Sequence, residues 1–275
     1  MLAWSGDPRV KRRTQSSIAA SSDGEKFVLI NASPDLRQQI VNVSWLHPRT
    51  GARSSPVQAC VVTSADVDHV AGLLTLRERQ PFELFATGAT LRALAANPIF
   101  DALAKDCVER RPIALETSFE PLPGLVFTAF AAPGKVALWQ EGENVEIGEE
   151  GEATIAVELR HGGKRAFYAP ACAGVTPALK EKVFGADVLL FDGTTFADNE
   201  LIDLGLMDKT SRRMGHIPMS GPEGSIEAFA GLSVGRKIFI HLNNSNPVLI
   251  EGSPERRRVE DAGWEVAFDG MEIDL

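Results

Sequence analysis

Cysteine and histidine are scarce in this chain, and long apolar runs and any excess of positive charge are missing. Its three cysteines, Cys60, Cys107 and Cys172, are too few and too widely spaced for a disulfide framework. Cys60 lies in an apolar stretch and reads as a small buried hydrophobe. No apolar run reaches the roughly 18 residues that a membrane span needs. The opening Met1–Asp7 lacks the charged-then-apolar order of a signal peptide. The expectation is a soluble, cytoplasmic protein with no membrane partner. A net charge of −9 argues against nucleic acid as a partner, since phosphate backbones are held by Lys and Arg. The basic clusters Arg9–Arg13 and Arg256–Arg258 are isolated and read as solvated surface.

What is present is apolar residues at 44% over 275 positions, enough for one sizeable domain. The chain is organised around Ala59–Leu76. Ala59–Val62 reads as a buried strand, followed by a polar turn with Asp66, Asp68 and His69, and then by Val70, Leu73, Leu74 and Leu76 near helical spacing. Such strand-to-helix turns gather at one rim of a sheet, where ligands bind. Asp68 and His69 could grip a metal there; the alternative is that Asp68 caps a helix beginning near His69.

Elsewhere, Thr14–Ala20 and Phe27–Asn31 read as a hairpin, and Ser33-Pro34 as a helix start with Leu36, Ile40 and Val43 on its apolar side. Strands are expected at Phe82–Ala86, Leu125–Phe130, Lys135–Trp139, Thr154–Leu159, Arg165–Tyr168, Val188–Phe191, Lys237–His241, Glu265–Phe268 and Glu272–Asp274. Helices are expected at Ala89–Ala95, at Ile226–Leu232 and from Ser253-Pro254. Glu141–Glu152 reads as an exposed acidic turn, and Met207–Pro222 as a long functional loop. Strand pairs followed by strand–helix alternation, repeated in the second half, predict a single α/β domain: two packed sheets with helices outside, an αββα sandwich.

Three strand exits carry candidate chemistry: Asp68-His69, Asp192 and His241. His216 follows a glycine in the irregular loop. Of the five histidines, three occupy exits or loops where ligands and catalytic groups are placed. His47, before a proline, and His161, at a hairpin tip, read as structural. Two histidines and a carboxylate form the facial set of mononuclear non-haem iron; zinc would accept the same donors plus a water. The sequence leaves that choice open.

Thr63-Ser-Ala-Asp-Val-Asp-His69-Val-Ala-Gly-Leu73 resembles the metallo-β-lactamase superfamily signature THxHxDHxxGL, with Ser64 and Asp66 where the signature has its two leading histidines. Arg13-Thr-Gln-Ser-Ser17 and Asn31-Ala-Ser-Pro-Asp-Leu-Arg37 resemble the opening hairpin of the phosphodiesterase-like branch. With Asp192-Gly-Thr-Thr-Phe196, Met214-Gly-His216 and Phe239-Ile-His241-Leu-Asn-Asn-Ser-Asn-Pro247, the chain is similar to the coenzyme PQQ (pyrroloquinoline quinone) biosynthesis protein B family from Leu2 to Leu275. The resemblance implies a metallo-β-lactamase-like fold. It also implies a part in PQQ biosynthesis, as an iron-dependent oxygenase acting on the tyrosine-derived ring of a crosslinked Glu–Tyr precursor.

The absent leading histidines, and the lack of a carboxylate in Tyr168-Ala-Pro-Ala-Cys172, imply one metal instead of a bridged pair. Asp68, His69 and His241 would hold it, Fe(II) before Zn. Asp192 and His216 would orient substrate or move protons, and Arg37, Asn243 and Asn244 would contact its carboxylates. Two other roles stay open: a non-catalytic carrier supporting transport of PQQ or its precursor toward the periplasm, and a zinc phosphodiesterase-like hydrolase. A homodimer and contacts with other PQQ biosynthesis proteins are expected partners. The family's glycine-rich first strand and its Cys cluster for a structural zinc have no counterpart in these residues. The expectation that follows is a poorly stable or inactive chain.

Overall fold

In the computed structural model, which describes residues 2–51, 54–142 and 145–275, two twisted sheets lie face to face. The first orders β1 (Ile18–Ala20), β2 (Phe27–Ile30), β3 (Val57–Val61), β4 (Phe82–Thr87) and β5 (Val108–Ile113) in sequence order. The second comprises β6 (Ser118–Leu122), β7 (Leu125–Ala131), β8 (Ile155–His161), β9 (Lys164–Ala169), β10 (Val188–Asp192), β11 (Arg236–Ile240) and β12 (Trp264–Val266), again in sequence order. In the first sheet β2 to β5 run parallel; in the second, β9 to β12 do. Antiparallel hairpins complete both.

This is the expected αββα sandwich, and the burial pattern shows why. Parallel strands covered on both faces become continuous apolar runs. β2 (FVLI) and β10 (VLLFD) are buried at every position. Val28, Ile30, Ala59 and Val61 meet Phe127, Val157, Tyr168 and Ile238 between the sheets. Outside the first sheet, Leu36, Leu73, Leu94 and Phe100 close a second layer. Outside the other, Leu179, Phe229, Val259 and Trp264 close a third.

Several expectations shift. The helix foreseen from Ser33-Pro34 runs Leu36–Asn42, after a turn closed by Leu36 N–H on the Ser33 carbonyl at 2.9 Å. Lys135–Trp139 forms no strand; it is a loop ending in a tight turn, Leu138–Gln140, and Trp139 Nε1 donates to the Ala65 carbonyl at 3.0 Å. Glu272–Asp274 is irregular, and only Ser225–Ala228 of the helix expected near Ile226 is helical. Of the acidic segment Glu141–Glu152, Glu143 and Asn144 lie outside the described residues. Glu141 is mostly covered, and Lys135 pairs with it at 2.8 Å.

Candidate metal centre

The carboxyl ends of β3, β10 and β11 converge on one rim, as strand ends do at ligand sites in α/β sheets. After β3 the chain turns into the short helix Val67–Val70, with Asp66 at its cap position and no capping side-chain hydrogen bond. Asp68 therefore sits inside the turn and does not cap it. The helix is held against the first sheet by Ala32 N–H on the His69 carbonyl and Gly72 N–H on the Ala32 carbonyl, both 2.8 Å. Gly72 is required there, because a Cβ would lie 2.1 Å from the Ser33 carbonyl oxygen. His241, one residue beyond β11, has φ 61°. That left-handed conformation is uncommon outside glycine, though histidine adopts it more readily than most, and it turns the residue out of the strand.

Asp68, His69 and His241 place one ligand atom each within 4.8 Å of the others. His241 Nε2 lies 2.8 Å from Asp68 Oδ2, and His69 Nε2 lies 4.0 Å from the same oxygen. His69 is 1% exposed, and its Nε2 is buried without a hydrogen-bond partner. An orphaned buried polar atom carries a desolvation cost that a partner removes. Two imidazoles and a carboxylate aimed at one point fit a divalent transition metal.

A second trio, Asp192, His216 and His241, is equally close but already filled. The Thr194 hydroxyl sits among its members, 2.7 Å from Asp192 Oδ1, 3.0 Å from His216 Nδ1 and 2.9 Å from His241 Nδ1. Asp192 is fully buried and accepts three further bonds, from Thr194 N–H, Cys172 N–H and, at 2.7 Å, His216 Nδ1. No lone pair of that carboxylate is left for a metal. Among the described residues, Asp68, His69 and His241 are therefore the trio that keeps an unpartnered donor atom.

Electrostatics follow the same geometry. Burial works against charge on Asp68, but the hydrogen bond from His241 and the nearby imidazoles outweigh it and hold the carboxyl well below the usual range. Burial also opposes charge on His241, yet its bond to Asp68 and the Asp68, Asp192 and Asp66 carboxylates push it up to about 9. His69, deeper, is pushed down mainly by burial. For Asp192, burial is overcome by His216, which keeps the carboxyl low.

A cavity of about 1250 Å³ opens from this point between the sheet edges, with Asp68, Thr194, His241, Asn243, Asn244 and Arg13 on its wall. Arg37 does not line it; it is exposed on its helix. Arg13, which sequence reasoning passed over as surface, does line it and donates from Nε to the Ala267 carbonyl at 2.8 Å. Thr194, Ser64 and Asp66 were also missed as functional candidates. The local signals were the place of Ser64 and Asp66 at the signature's two leading histidine positions, and a hydroxyl two residues beyond a carboxylate in Asp192-Gly-Thr194.

Residues 26–242 match the beta-lactamase superfamily domain. Over 274 residues the chain is 56% identical to the coenzyme PQQ synthesis protein B of Methylorubrum populi, covering 100% of this chain and 92% of that one. The chain belongs to the coenzyme PQQ synthesis protein B family. The corresponding protein of Xanthomonas euvesicatoria is 48% identical over 276 residues, with the same coverage. The crystal structure of zinc-bound PqqB from Methylobacterium extorquens superposes with a TM-score of 0.98 at 55% identity, over 100% of this chain and 92% of that one. A diphosphatase of the PhnP family, at 22% identity and a TM-score of 0.67, shares the fold.

Proposed function

We propose that this PqqB-family chain acts in PQQ biosynthesis as a mononuclear oxygenase on the tyrosine-derived ring of a crosslinked Glu–Tyr precursor, with Fe(II) held by Asp68, His69 and His241. The observation that supports it is the open donor set: His69 Nε2 is orphaned while the neighbouring trio is bridged by the Thr194 hydroxyl. A hydrolase that activates water between two metals needs both positions. Fe(II) held by Asp68, His69 and His241 would supply dioxygen activation there.

The chain's own residues supply the rest. Asn243 and Asn244, on the cavity wall with Arg13, offer amide and guanidinium donors for substrate carboxylates. Asn243 is fixed by its N–H on the Thr194 carbonyl at 3.0 Å. Asp192 and Thr194 hold the His216 Nδ1 edge, which leaves Nε2 as the atom that takes or gives a proton. Asp192, buried and saturated, acts on substrate only through His216 and Thr194.

The zinc in the M. extorquens relative keeps a zinc-dependent role as the second reading. Anaerobic loading with Fe(II) or Zn(II), followed by oxygen uptake on a phenol- or catechol-bearing glutamyl-tyrosine probe, separates the two. Probe-dependent uptake by the iron form alone is the expected result. No uptake by either form, with the probe bound, would replace catalysis by a carrier role.

A further inference from the structure

His69 and His241 can serve a metal through Nε2 only if their protons sit on Nδ1, and the hydroxyls beside them bear on that choice. A hydroxyl has one proton to give and two lone pairs to receive. Ser64 Oγ donates to Asp66 Oδ2 at 2.8 Å and lies 2.7 Å from His69 Nδ1. Its proton is committed to the carboxylate, so the short contact to His69 is satisfied only by an Nδ1–H that donates to Ser64. Thr63 Oγ1, 3.3 Å from the same nitrogen, in turn donates to Asn31 Oδ1 at 3.1 Å. It too can only accept from His69.

The same construction recurs across the site. Thr194 Oγ1 gives its proton to Asp192 Oδ1 at 2.7 Å and is 2.9 Å from His241 Nδ1. His241 must therefore donate from Nδ1, which directs Nε2 toward Asp68.

We propose that Asp66–Ser64 and Asp192–Thr194 are two carboxylate–hydroxyl relays that fix His69 and His241 as Nδ1–H tautomers and so preset their Nε2 atoms as metal ligands. Partners that hold the far nitrogen of a ligand histidine set both its ring orientation and its basicity. All four are positioning residues, since none lies in the open donor set. The inference rests on Asp68, His69 and His241 being the metal position. It adds that Ser64 and Asp66 serve that position indirectly.

The test uses the full chain, 15N-labelled at histidine, with Zn(II) as a diamagnetic probe. Long-range 1H–15N spectra read the tautomer of each ring, and competition with a chelator reads zinc affinity. In the wild type, His69 in the metal-free chain, and both His69 and His241 in the zinc form, should show a protonated Nδ1. Ser64→Ala combined with Thr63→Val, which leaves neither hydroxyl beside His69 Nδ1, should scramble the His69 tautomer alone, Thr194→Val that of His241, and each should weaken zinc binding about 10- to 100-fold. Thr194→Ser, which keeps the hydroxyl, should restore both readings; a purely steric role for Thr194 would leave it impaired. Wild-type tautomers and affinity in the Ser64→Ala, Thr63→Val double variant and in Thr194→Val would overturn the proposal, as would an Nε2–H His69 in the metal-free wild type. Zinc binding elsewhere would instead remove the metal position, and the metal-free His69 reading would still decide the Ser64 relay.

Discussion

At the scale of single residues, a metal at the proposed position would compete with a proton for the same nitrogen. His241 holds a proton up to about 9 because Asp68 accepts it. A metal must displace that proton, so apparent affinity should rise with pH and level off above about 9, measured by chelator competition. The metal-free chain carries the opposite sign. A raised histidine stabilises the fold fully below its unfolded value near 6.5 and loses that contribution as pH rises through about 9. The stability gap between wild type and His241→Gln, read by urea titration, should therefore shrink over that window. Flat profiles in both experiments would mean that the Asp68–His241 bond does not form in solution. His216→Asn should slow turnover and leave metal affinity unchanged; a drop in affinity would make His216 a ligand.

Among elements, the short turn after β3 is the most constrained. Gly72→Ala drives a Cβ to 2.1 Å from the Ser33 carbonyl oxygen and 2.8 Å from the Ala32 carbonyl, so backbone has to shift. Unfolding free energy should fall by about 3 kcal/mol or more, the upper end of overpacking costs, and metal affinity should fall with it because His69 moves. Ser253→Ala removes a cap on Arg256 N–H at 3.0 Å and a bond to the Pro247 carbonyl at 3.1 Å, and should cost about 1 kcal/mol while leaving every proposed metal ligand in place. The elements most legible in the sequence were the buried ones. β2, β3, β10 and β11 stand out as apolar runs, and Ser253-Pro254 announces its helix. The two strands that sequence reading passed over, β5 (VERRPI) and β6 (SFEPL), are sheet edges. Each carries proline and charge, as edges do to resist further pairing, and that composition hides them. In β5 the charge is used laterally: Arg111 pairs with Glu83 of β4 at 2.6 Å. Of the site, strand exits pointed to Asp68, His69 and His241. They could not locate Thr194 as a hub, because its three partners lie 2, 22 and 47 residues away.

For the molecule as a whole, the site joins the two sheets. Asp68 and His69 come from the first, His241 and Asp192 from the second, and among the described residues no helix is long and apolar enough to cross a membrane. A metal bound across that seam stabilises only the assembled sandwich. At a hundredfold excess over Kd it should add about 2.7 kcal/mol, a rise in Tm of roughly 5–10 °C for a chain of this size. Chelation should reverse it. The central claim, one metal position made by Asp68, His69 and His241, is tested most directly by counting. Anaerobic titration of the metal-free chain with Fe(II), read by equilibrium dialysis and elemental analysis, should give one equivalent per chain in the wild type and in His216→Asn. It should give none in His69→Ala or His241→Ala, with both variants still folded. Two equivalents in the wild type, or one retained in either alanine variant, would contradict it.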